Sequence, residues 1–416
     1  MHKINSYKIL TIPVENSNII YVQSFILSGR MNENKSDSGI SHLLEHVLTE
    51  SWKKCKDDCA KYWGKKGIIT NASTGDSTIN YYVEGLEKNC KELIEYIINI
   101  TTKPQFREKR VKVEKRAVKE ELTRELNDPG WKIADKISNI FYSHPGLKNS
   151  NNIPLQLKNL KTIQISDLIQ YCNQIYTPKN ILFVVSGDFN QRYVLNLFER
   201  YLPKSAKLGK RNIQNNIYKK INKPVINFIP NKKAKISEIV ISFMAKIYPQ
   251  DNDAIYFPII SDILCGGMQS LLMRKLRTEL NLIYNIRVYI EPEITGTLTT
   301  IETTGDQEKT FEIINSIVGV LKDMLNGNWK DAQLIRTIDR HLIRDEKICK
   351  NNIFLADFYA EQYVSQLYNK DPIIRSPAEQ TKIIKKVTKK QIIATCKKIF
   401  PLNRMITTYQ CRNKQR

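Results

Sequence analysis

The chain has no apolar run approaching the ~20 residues that a bilayer-spanning helix requires. Its longest candidates, such as residues 181–185, are strand-sized, and a soluble protein is expected. Glycine and proline are sparse, 16 and 15 among 416 residues, which excludes collagen-like and wholly disordered readings. The eight cysteines, at 55, 59, 90, 172, 265, 349, 396 and 411, scatter apart from one close pair, so no disulfide framework is indicated. Residues 1–17 hold neither the apolar segment of a signal peptide nor an Arg-rich transit sequence. Free thiols in the cytoplasm or another reducing compartment are therefore expected. Cys55 and Cys59 have no second Cys or His pair nearby at zinc-finger spacing.

Acidic residues are outnumbered: 65 Lys and Arg against 42 Asp and Glu give a net charge of +23. Such a surface attracts nucleic acid, acidic membrane or acidic peptide, but lysine-rich residue usage produces it equally well. No RNA-binding signature or aromatic-interleaved basic repeat accompanies the charge, so a nucleic-acid-associated role stands only as an alternative.

Periodicity predicts strands over 8–14 and 18–27, a helix over 39–48 capped by Asp37 or Ser38, and strands over 68–73 and 78–83. Helices follow over 88–100, 108–126, 131–142 and 166–176, then an apolar strand over 181–186. Residues 203–224 carry seven Lys or Arg and no acid, the mark of an exposed basic linker. Beyond it come strands over 225–229 and 236–243, helices over 254–264 and 269–280, strands over 283–290 and 296–303, and long helical patterns. Both halves close alike, with helix, a Pro-containing breaker and a short strand: Tyr176-Thr177-Pro178-Lys179-Asn180 before 181–186, and Phe400-Pro401-Leu402-Asn403 before 405–409. The echo suggests two homologous domains, 1–202 and 225–416. Clustered strands followed by blocks of helices argue for an α+β fold, each domain a mostly antiparallel sheet with helices packed on it.

His42-Leu43-Leu44-Glu45-His46 lies within the first predicted helix. Histidines four apart stack one turn above the other, so their ring nitrogens can converge on one ion with Glu45 on an adjoining position. With five histidines and 24 glutamates in the chain, this pattern arises by chance in roughly three of a thousand such sequences. Zinc is the ion such ligands suit, although the spacing does not separate it from manganese or cobalt. It would activate a water as nucleophile, with Glu45 as general base.

The H-x-x-E-H order and its surroundings resemble the pitrilysin/insulinase family of zinc peptidases. The likeness runs through the whole first half: Gly29, then Asn71-Ala72-Ser73-Thr74, Thr78 to Tyr82, and Val185-Ser186-Gly187-Asp188. That family takes a third ligand, a glutamate, about 75 residues on, with another glutamate seven positions before it. Glu121 and Glu114 match these offsets. The resemblance implies Glu121 as third ligand, with Glu120 its rival, and Glu114 as the carboxylate that orients a ligand imidazole. It implies that Asn71 and Ala72 lie on an edge strand that takes substrate backbone as an added strand; the residues alone read as a strand entering a hairpin at Gly75-Asp76. Arg277 and Tyr284, seven apart, match a family pair that would hydrogen-bond substrate and the developing oxyanion.

Two departures stand out. Residues 149–154 replace a glycine-containing turn, and residues 236–238 lack a frequent glutamine. The resemblance implies a zinc metalloendopeptidase for short or unfolded polypeptides. It also implies a half-length chain that forms half of a clamshell chamber and pairs with itself or a homologous chain. His42, His46 and Glu121 of one chain would then face Arg277 and Tyr284 of its partner. A catalytically silent subunit of a processing complex is the alternative within the family.

Overall fold

The computed structural model describes residues 1–56, 58–205, 217–293, 296–366 and 372–414. Two compact units divide the chain. The first comprises residues 1–128, 142–217 and 348–364; the second comprises 129–141, 218–347 and 365–416. Residues 206–216 of the expected basic linker lie outside the described residues.

The first unit is built on a six-stranded sheet of β1 (His2–Ile4), β2 (Tyr7–Pro13), β3 (Ile19–Ile26), β4 (Ile69–Thr74), β5 (Ile79–Leu86) and β6 (Ile181–Gly187), in spatial order β1-β2-β6-β3-β5-β4. Only β2 and β6 pair in parallel. β6 is buried at every residue, because it sits between two strands and is covered on both faces; hence its unbroken apolar sequence. Among the described residues β4 has no strand on its outer side. Its helices are α1 (Ile40–Thr49), α2 (Cys59–Gly64), α3 (Cys90–Thr102), α4 (Glu108–Asn127), α6 (Pro145–Lys148), α7 (Ile153–Thr162), α8 (Ile165–Ile175) and α9 (Gln191–Tyr201), with α5 (Trp131–Phe141) belonging to the second unit.

The second unit has a five-stranded sheet of β7 (Val225–Pro230), β8 (Ser237–Ala245), β9 (Ile283–Glu293), β10 (Gly296–Gly305) and β11 (Ile406–Cys411), ordered β7-β11-β8-β10-β9. Once β1 is set aside, this is the strand order of the first unit shifted by five, down to the parallel pairing of the first and last strands. The repeat expected from the two chain endings is thus present in topology. Helices α10 (Phe257–Cys265), α11 (Thr310–Asn326), α12 (Asp331–Lys350), α14 (Pro377–Ile384) and α15 (Lys389–Ile399) complete it, with α13 (Asn352–Ser365) between α12 and α14. Its core joins Ile239, Ile241 and Phe243 of β8 to Ile260, Ile313, Ile317, Ile392 and Phe400.

Each unit takes a helix from the other half of the sequence. α13 packs with the first sheet, where Asn352 Nδ2 donates to Ile19 O at 2.9 Å and Gln23 Nε2 donates to Asp357 Oδ1 at 3.1 Å. α5 joins the second, where Gln410 Nε2 donates to Pro129 O at 2.9 Å. Among the described residues no helix is long and apolar enough to cross a membrane.

The expectation of free thiols throughout is corrected at one pair. Cys55 and Cys59 form a disulfide, because a tight turn through Lys56 at φ 57° brings their Cα atoms to 4.7 Å, within bridging range.

Candidate metal centre

α1 buries Ile40, Leu43, Leu44, Val47 and Leu48, the three-and-four spacing of a helix laid on a core. The remaining face carries His42, His46 and Thr49, all half-buried. The helix begins after Gly39, whose φ of 96° favours glycine. The expected caps Asp37 and Ser38 do not serve it. A carboxylate from further upstream does: Glu33 Oε2 accepts from Gly39 N at 2.8 Å and Oε1 from Ser41 N at 2.9 Å. Those are N–H groups a helix start leaves unpaired.

α4 crosses α1 and buries Val111, Glu114, Val118 and Leu122. Glu121, two turns beyond Glu114, is half-exposed beside the histidines, whereas Glu120 faces solvent. His42 Nε2 and His46 Nε2 are 3.2 Å apart, and each lies 3.4 Å from Glu121 Oε2. Tetrahedral zinc with ligand bonds of ~2.0–2.1 Å sets its ligand atoms ~3.3 Å apart, so this triangle fits such an ion. Among the described residues this is the one His/Cys/Asp/Glu group that could hold a metal.

Glu114 Oε2 lies 3.3 Å from His46 Nδ1, the contact that fixes an imidazole with its other nitrogen bare. Burial, together with the charges of His46 and Arg30, lowers the His42 pKa to about 3, so this imidazole is neutral, as a ligand must be. For His46 burial acts in the same direction, but Glu114, Glu45 and Glu121 outweigh it and raise the value. Glu45 is buried and its pKa is raised by desolvation, partly offset by Thr74 Oγ1, which donates to Glu45 Oε2 at 2.6 Å.

The β4–β5 turn is tied to the segment leading to α1: Arg30 N donates to Gly75 O at 3.2 Å and Met31 N to Asp76 O at 2.9 Å. A Cβ at Gly29 would sit 2.3 Å from Gly75 O, so only glycine permits this approach. Residues 71–74 of the free-edged β4 thereby bound a pocket of about 420 Å³ together with the histidines, Glu45 and Glu121. Asn71 and Ala72 are opposite Tyr82 and Tyr81 of β5, with no further strand beside them among the described residues, and Ala72 N donates to Asn71 Oδ1 at 2.9 Å.

Arg277 and Tyr284 lie in the second unit, where the Arg277 guanidinium stands over the Tyr284 ring at 4.6 Å and Tyr284 is 77% exposed. In the crossover between β8 and β9, the place α1 occupies in the first unit, α10 has neither His nor Glu. Sequence reasoning missed Glu33, Thr74 and the Arg110–Glu50 pair. The i,i+4 relation of Arg110 to Glu114 was the one local signal available.

Residues 8–154 match the family description "Insulinase (Peptidase family M16)", and residues 162–340 match "Peptidase M16 inactive domain". The chain belongs to the M16, or pitrilysin/insulinase, family. An "uncharacterized zinc protease" of Rickettsia bellii is 22% identical over 95% of this chain and 93% of its own length. The beta subunit of the rat mitochondrial-processing peptidase is 24% identical over 45% of this chain and 39% of its own. In fold, the chain is similar to a protease from Helicobacter pylori, with a TM-score of 0.88 at 17% identity over 99% of this chain and 98% of that one. The M16 match in the second half carries the word "inactive", in keeping with an α10 that lacks the histidine pair and glutamate of α1.

Proposed function

We propose that the protein is a zinc-dependent endopeptidase whose ion is held by His42, His46 and Glu121. The observation that carries this reading is the triangle of ligand atoms with edges of 3.2, 3.4 and 3.4 Å. When bound, the ion supplies Lewis acidity that brings the pKa of water toward ~7 and polarises a peptide carbonyl. Glu45 takes the proton of the attacking water and returns it to the leaving amine. Thr74 holds Glu45 by one oxygen and leaves the other to carry the proton. The open side of β4 takes the substrate backbone as a further strand, with residues 71–72 nearest the scissile bond, which suits extended peptides rather than folded proteins. Zinc rather than another divalent ion is favoured by the imidazole–carboxylate donor set and by the relatives' names.

The chain acts as one half-length partner of a pair, itself or a homologue, to which Arg277 and Tyr284 contribute substrate and oxyanion contacts. The relative named as a processing-peptidase subunit supports pairing. Co-expression of His46→Ala with Tyr284→Phe chains should then restore activity that neither has alone.

The direct test is cleavage of an internally quenched peptide library by wild type and Glu45→Gln, with metal content measured on both. Equal metal with turnover lost by about 10²-fold or more in the variant is expected for removal of a general base. Equal turnover would refute the role of Glu45.

A further inference from the structure

Glu114, the carboxylate on His46, is itself held. One Arg110 nitrogen, Nη2, lies 2.7 Å from Glu114 Oε1 and 3.2 Å from Glu50 Oε2. The two oxygens of Glu114 are thus divided, Oε1 to Arg110 and Oε2 to His46 Nδ1. Glu50 directly follows α1 and also accepts from Cys59 N at 2.7 Å, so Arg110 joins the end of α1, the start of α2 and α4. Glu50 and Glu114 are 8% and 6% exposed. Two carboxylates this buried repel unless a cation stands between them.

We propose that Arg110 is a positioning residue for the metal centre: its guanidinium, bridging Glu50 and Glu114, holds the Glu114 carboxylate on His46 Nδ1 and so keeps His46 Nε2 turned to the ion. The proposal rests on the zinc-peptidase reading of the site. Without Arg110, Glu50 pushes Glu114 away from His46, and the imidazole loses the partner that fixes its ring plane. Arg110 touches neither ion nor substrate, so its effect falls on the assembly of the site.

The test is Zn²⁺ binding by chelator-treated full-length protein, read by competition with a chromophoric indicator. Removing an outer partner of a metal ligand weakens affinity by about 10- to 100-fold; Arg110→Met is expected at the lower end of that range. Arg110→Lys, which keeps the charge but not the planar guanidinium or its reach, should fall between it and wild type. Because Arg110 acts through Glu114, the double variant Arg110→Met/Glu114→Ala should bind as Glu114→Ala does, within about twofold. Affinity of Arg110→Met within twofold of wild type, or losses that multiply in the double variant, would overturn the proposal. Circular dichroism of the metal-free proteins checks folding; if Arg110→Met does not fold, Arg110→Lys alone and combined with Glu114→Ala is judged by the same criteria. A wild type that binds no Zn²⁺, or a His46→Ala variant that binds it as wild type does, refutes the zinc reading itself, and Arg110 with it.

Discussion

Replacing Glu33 by alanine removes a cap that α1 cannot supply for itself. Gly39 offers no side chain, and the Glu33 carboxylate, 1% exposed, is the acceptor for Gly39 N and Ser41 N. Hydrogen bonds to a charged acceptor contribute about 1.5–3 kcal/mol each, and orphaning their donors in a buried site forfeits that contribution. Two such bonds lost come to about 3–6 kcal/mol. Part is recovered because burial raises the Glu33 pKa, showing that the charged form is costly to hold there. A net loss of about 2–4 kcal/mol is expected. Glu33→Gln keeps one acceptor oxygen and should lose about half as much. The assay is urea unfolding at pH 7 with excess chelator, so that stabilisation by bound metal does not enter. Since α1 carries both histidines, Zn²⁺ affinity should fall along with stability. A loss below about 1 kcal/mol in Glu33→Ala would refute the assignment of Glu33 as the cap.

Two further predictions concern other parts of the molecule. Denatured without reductant, the protein should show six reactive thiols, those of Cys90, Cys172, Cys265, Cys349, Cys396 and Cys411, and eight after reduction; eight in both samples would restore the expectation of free thiols. Burial raises the carboxyl pKa of Asp262, but His341, with Nε2 3.2 Å away, and Arg340 and Arg344 outweigh it and hold the value below the ordinary range. A depressed folded value stabilises the protein above the unfolded pKa of about 4 and ceases to do so as pH falls through the folded value. The stability gap between wild type and Asp262→Asn should therefore narrow as pH drops from 5 toward 3, and a constant gap would argue against the assignment.

Much of the fold was legible because its central strands and long helices have strong periods. β6 reads as an unbroken apolar run since both its faces are covered, and α4 reads through Val111, Val118 and Leu122. α9 was not read although Val194, Leu197 and Phe198 give it a helical spacing, and β1 escaped because three residues carry no period. The exchange of α13 and α5 between units was not legible, for an amphipathic pattern states that a face is covered without saying by what. At the site, His42, Glu45 and His46 are local in sequence and visible at once. Glu121 became visible through the family's spacing, whereas its convergence with the histidines is a tertiary fact. The Glu33 cap depends on a left-handed Gly39 and a loop reversal, neither of which Asp37 or Ser38 reveals. The disulfide depends on the positive φ of Lys56.

The most direct test of the metal centre is X-ray absorption at the zinc edge on protein loaded with one Zn²⁺ per chain. Two imidazoles and oxygen ligands at ~2.0–2.2 Å with no sulfur shell are expected for His42, His46 and Glu121. A sulfur shell at ~2.3 Å, or a single imidazole, would contradict the site.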